Sequence, residues 1–117
     1  MKPYTDINQS KKLERILPPE SANMYYPYFG NNKWGEIARF GEALEYSGNK
    51  DIMCWSLDAL LDVINTNYYT TLYHDGVAWN IDIIHHDNVK EKHSVYAENP
   101  VNTCYEMIIK LHKQKLL

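Results

Sequence analysis

The chain has 117 residues, 44% hydrophobic and 23% charged, with a formal net charge of −3 and a pI near 5.9. That length buries a core without metals or disulfides, and 13% aromatic residues exclude a disordered chain, so one globular domain over residues 1–117 is expected. The acidic balance gives no field that would release counterions from a nucleic-acid backbone, which argues against nucleic acid as a partner.

No apolar run approaches the roughly 18 residues that span a bilayer, and residues 1–6 lack the apolar core of a secretory signal. The expectation is a soluble cytoplasmic protein with no membrane partner. Two cysteines, Cys54 and Cys104, are too few for a disulfide scaffold and read as buried thiols in a reducing compartment.

In chain order, Thr5 to Leu17 reads as a helix with Thr5 as N-cap, a thin stripe of Ile7, Leu13, Ile16 and Leu17, and a stop at Pro18-Pro19. Met24 to Phe29 has aromatic strand propensity, and Pro27, which cannot donate to a ladder, points to an edge strand. Gly30-Asn31-Asn32 reads as a turn. Lys33 to Tyr46 reads two ways, because Ile37, Phe40 and Leu44 fit a helical face while Gly35 and Gly41 weaken a helix. Residues 33–50 therefore stay unassigned.

Cys54 to Ile64 gives the clearest helical pattern, with Ser56 as N-cap, Leu57, Leu60, Leu61 and Ile64 on one face and Asp58 and Asp62 on the other. Asp75-Gly76 predicts a two-residue hairpin turn, which sets His74 opposite Val77, Leu72 opposite Trp79 and Thr70 opposite Ile81. Those residues and Ile83 share the core face, leaving Tyr73, Ala78, Asn80 and Asp82 on the other. A third strand is expected near His93 to Tyr96. Asn99-Pro100 opens a last helix, with Val101, Cys104, Ile108 and Leu111 as its buried stripe.

Three segments, Gln9 to Leu13, Cys54 to Leu61 and Asn99 to Ile108, together resemble a group of short uncharacterised proteins from Bacteroides-type gut bacteria and their prophages or mobile elements. The resemblance implies a bacterial or phage cytoplasmic setting and an accessory or host-interaction role. It transfers no catalytic residue and no cofactor.

Several constellations could carry chemistry. His85 and His86, beside Asp82, Asp87 and His93, are suitable transition-metal ligands, but neighbours on a strand face opposite ways, and the simpler reading is a polar strand end and loop. Cys54 precedes a helix N-terminus that could favour a thiolate, with His74 or His93 as base; the simpler reading is a small core residue. Asp58 and Asp62 share one solvent face, which suits solubility better than acid–base work. Lys110, His112, Lys113 and Lys115 could touch an acidic partner, yet they also complement the helix dipole. The glycines never assemble into a phosphate-binding loop, and no cofactor is implied.

Tyrosine is the most unusual feature: ten residues, with Tyr25, Tyr26 and Tyr28 close to Trp34. Such rings combine an apolar face with a hydroxyl that tolerates water, which suits a protein interface as well as a core. The expected fold is α+β: a small, mostly antiparallel sheet of about three to five strands packed on one face by two or three helices. The expected function is that of a non-enzymatic binding or accessory protein contacting a partner through Tyr25, Tyr26, Tyr28 and Trp34. Two alternatives are a small metal-binding or cysteine-dependent enzyme using His85, His86 or Cys54, and a structural homodimer.

Overall fold

A computed structural model describes residues 2–46 and 49–117. Among these, three α-helices combine with antiparallel sheets, which is the α+β class that the sequence predicts. The strands form two three-stranded and two two-stranded sheets. Contacts group into two compact units, Tyr4–Ala59 and residues 2–3 with Leu60–Leu117.

In the first unit, α1 (Ile7–Glu14) starts one residue later than expected. Asp6, not Thr5, is the cap: its carboxylate accepts from Gln9 N–H at 2.7 Å, and the Gln9 side chain accepts from Asp6 N–H at 3.1 Å. This reciprocal box needs a side-chain acceptor three residues past the cap, which Gln9 supplies for Asp6. Thr5 is freed to enter the core, where it is fully buried.

Thr5 organises this unit. Its N–H donates to the Trp55 carbonyl at 3.0 Å, its carbonyl accepts from the Tyr26 hydroxyl at 2.7 Å, and its Oγ1 lies 2.8 Å from Ser10 Oγ and accepts from Trp55 N–H at 3.2 Å. A buried polar group is tolerated only when so paired, and here the pairing ties α1 to two strands, one through Tyr26 and the other through Trp55, the residue that follows it.

Those strands are β1 (Met24–Tyr26) and β7 (Ile52–Cys54), and with β4 (Arg39–Phe40) they form a sheet in the order β4-β1-β7. β1 is thus the central strand, not the predicted edge. Pro27 lies just past the last paired residue, Tyr26 opposite Ile52, so the ladder asks no N–H of it. The chain resumes as β2 (Tyr28–Gly30), which pairs with β3 (Lys33–Trp34) through the expected turn; Gly30, Asn31 and Asn32 all have positive φ, at 92°, 52° and 57°. Asp51, 4% exposed, accepts from the N–H groups of Tyr28 and Leu44 at 2.8 and 3.1 Å and joins β2 to the start of β5 (Glu45–Tyr46). β5 pairs with β6 (Asn49–Lys50). The stretch from Lys33 is therefore strand and loop, and Ile37 and Phe40 are exposed, not a buried helical face.

α2 (Leu57–Asn65) follows its prediction closely. Ser56 Oγ accepts from Ala59 N–H at 3.2 Å, Leu60 and Ile64 are fully buried, and Asp58 and Asp62 are exposed.

In the second unit, β8 (Tyr68–His74), β9 (Trp79–His85) and β10 (Asn88–Ala97) form an antiparallel meander with β9 in the middle. The first turn spans four residues, not two. The Asp75 carboxylate accepts from Val77 and Ala78 N–H, each at 2.8 Å, and Asp75 N–H donates to the Ala78 carbonyl at 3.1 Å. The register moves by two residues: His74 faces Trp79, Leu72 faces Ile81 and Thr70 faces Ile83. An even shift preserves the faces, so Ile81 and Ile83 are buried as expected, while Val77 moves into the turn and is exposed.

The last strand covers the predicted His93 to Tyr96 segment and extends beyond it, and α3 (Pro100–Lys113) packs against β9 and β10. Asn99 caps α3 by accepting from Asn102 N–H at 2.8 Å; Val101, Cys104, Ile108 and Leu111 are buried.

Candidate interaction surface

Strand alternation places two sets of side chains on opposite faces of β8-β9-β10. One set, with Leu72, Ile81, Ile83 and Val95, lies on the side of the buried apolar core. The other forms three cross-strand rows: Tyr69, Ile84 and Lys92; Thr71, Asp82 and Ser94; Tyr73, Asn80 and Tyr96. Tyr69 is 66% exposed and Tyr96 74%, and Tyr73 and Ile84 are also open to solvent.

The middle row is polar and internally bonded. Ser94 Oγ donates to Asp82 Oδ1 at 2.7 Å, and the Tyr73 hydroxyl bonds the same carboxylate, which raises the Tyr73 pKa. Aromatic rings thus stand at both ends of a polar centre. His86 packs against Tyr69 at a tilt, with ring centroids 4.4 Å apart and planes inclined by 56°.

The tyrosine-rich segment of the first unit is arranged otherwise. Tyr26 is 3% exposed, so it belongs to the core and offers no surface; burial pushes its phenol well above the usual range. Tyr25 is half-buried beside Gly41, where a Cβ would lie 3.3 Å from its ring. Tyr28 and Trp34 are half-buried and packed together, centroids 5.1 Å apart. The Tyr28 hydroxyl accepts from Asn32 N–H at 3.0 Å, Trp34 Nε1 donates to the Lys50 carbonyl at 3.0 Å, and the Lys11 ammonium sits 5.1 Å from the Trp34 ring centre. Tyr28 and Trp34 already have partners within their own unit.

His85 and His86 diverge. His85 ends β9, meets Tyr68 edge-on at 5.2 Å and accepts from Asp87 N–H through Nδ1, while His86 lies in the turn against Tyr69. No group of three His, Cys, Asp or Glu side chains converges among the described residues. Cys54 is fully buried against Thr5, and burial pushes its thiol up; burial pushes Cys104 up to about 12. Both thiols are held in the protonated, weakly nucleophilic form. Lys110 donates to the Ser94 carbonyl at 3.4 Å, while His112, Lys113 and Lys115 are exposed at the helix end.

A cluster that the sequence did not announce lies at the open end of the meander. Between Asn88 and Lys92 the register slips, so Val89, Lys90 and Glu91 bulge from the ladder. The bulge delivers Glu91 to the Tyr68 hydroxyl, which donates to it at 2.5 Å, and to His93 Nε2 at 3.2 Å. Burial first, then Glu91, raises the Tyr68 pKa to about 12. The signal for Tyr69, Tyr73 and Tyr96 was available as period-two alternation; no pattern marks a bulge.

No family model, no curated protein and no solved structure matches the chain.

Proposed function

We propose that the chain is a binding or accessory protein, acting by association and not by catalysis, and that its contact surface is the open face of β8-β9-β10. The observation that carries this reading is the pair of apolar rows, Tyr69 with Ile84 and Tyr73 with Tyr96, exposed on an antiparallel sheet around Asp82. Rings of this kind bury large areas at little entropic cost, and together they offer on the order of several hundred Å². A protein partner suits the surface better than nucleic acid, because its centre is a carboxylate and the chain is net negative. The bacterial or phage setting implied by the sequence resemblance fits an accessory role.

The test compares capture from a lysate of such a bacterium by tagged wild type, by Tyr69→Ala/Tyr96→Ala and by Tyr25→Ala/Tyr28→Ala. Loss of a captured protein in the first variant alone is expected. Loss in the second alone would move the surface back to the segment near Pro27.

A further inference from the structure

The two edges of the β8-β9-β10 sheet are built differently. β10 carries Lys90, Glu91 and Lys92 and a three-residue bulge, all devices that discourage another strand from adding. β8, Tyr-Tyr-Thr-Thr-Leu-Tyr-His, has seven residues, no Asp, Glu, Lys or Arg, no proline, no glycine and an unbroken register. Among the described residues it is paired on one side only. Such an edge is a ready template for strand addition.

Hydrogen-bond parity fixes which backbone groups are offered. Asp75 N–H bonds the Ala78 carbonyl and His86 N–H bonds the Asn67 carbonyl, so the odd residues Tyr69, Thr71 and Tyr73 bond β9. The even residues Thr70, Leu72 and His74 turn their N–H and C=O groups outward, while Tyr68, 2% exposed, offers none. An added antiparallel strand must meet them with a hydrogen-bonded pair.

The strand is also self-complementary. Tyr69 and Tyr73 flank Thr71 symmetrically, so a two-fold axis through Thr71 sets Thr71 against Thr71, Tyr69 against Tyr73, and Thr70 against Leu72 of the other copy. Thr70 and Leu72 are the residues with outward bonding groups, so that register satisfies parity across Tyr69 to Tyr73. Aromatic pairs and threonine pairs are favoured across antiparallel strands. We infer that β8 pairs antiparallel with β8 of a second copy of this chain, joining two three-stranded sheets into one of six strands with a continuous aromatic outer face. The inference stands apart from the identity of any partner on that face.

Sedimentation across concentration, with wild type, Thr71→Lys and Thr71→Cys, tests it. Wild type is expected to dimerise. Thr71→Lys, an exposed substitution that sets two ammonium groups face to face, should raise the dissociation constant by at least about tenfold while leaving the circular dichroism spectrum unchanged. Thr71→Cys, at a closely spaced non-hydrogen-bonded pair, should oxidise to a covalent dimer faster than Ser94→Cys on β10. A wild type that stays monomeric, a dimer indifferent to Thr71→Lys, or equal cross-linking of the two cysteine variants would overturn the inference.

Discussion

Two tyrosine-rich stretches of similar composition end in opposite roles. Tyr25-Tyr26 lies on the central strand of one sheet, and Tyr26 is spent on the core, its hydroxyl bound to the Thr5 carbonyl. Tyr68-Tyr69 begins an edge strand, where Tyr68 turns inward to Glu91 and Tyr69 stands in solvent. Residue type is the same in both places. What decides availability is the side of the pleat and whether anything covers that side.

Substitutions at the two places should separate sharply. Tyr26→Ala removes a buried ring and the donor to Thr5, and a loss of about 3–5 kcal/mol is expected in urea unfolding, against less than about 0.5 kcal/mol for Tyr69→Ala. Similar losses at both would break the comparison. Tyr26→Phe sharpens it: the ring stays, the hydroxyl goes, and about 1 kcal/mol should be lost, because Cys54 Sγ, 3.4 Å from the Thr5 carbonyl, still donates to it.

A further effect, confined to alkaline pH, concerns Tyr68. Its phenol keeps its proton to about pH 12 in the folded chain, whereas an unfolded tyrosine releases it near 10. Between those values the unfolded chain binds fewer protons, so stability falls as pH rises through the window and is unchanged by this group below it. Unfolding midpoints measured from pH 9 to about 11.5 should therefore drop less steeply in Tyr68→Phe than in wild type. Equal slopes would show that Tyr68 is not held as the structure has it.

Much of the second unit was legible in the sequence because its patterns are local. Asn99-Pro100 is a cap and a first turn in adjacent residues, and alternation along Thr70 to Ile83 places Ile81 and Ile83 inside whether the turn has two residues or four. Asp75-Gly76 misled because the Asp75 carboxylate gathers two N–H groups and holds a four-residue loop, a choice the dipeptide does not encode. In the first unit the decisive bonds are distant in sequence. Thr5 reaches Tyr26 and Trp55, and Asp51 reaches Tyr28, so Thr5 read as a cap and Met24 to Phe29 as an edge. Of the surface, alternation sets Tyr73 on the non-core face, but Tyr69 and Tyr96 become its neighbours only through cross-strand register. Glu91 depends on a bulge with no sequence mark.

Photo-cross-linking from single positions tests the proposed surface most directly. With p-benzoylphenylalanine in place of Tyr96 or of Tyr25, irradiation in the lysate should yield an adduct to another protein from position 96 and none from position 25. An adduct from position 25 with none from position 96 would contradict the assignment of the contact surface to the open sheet face.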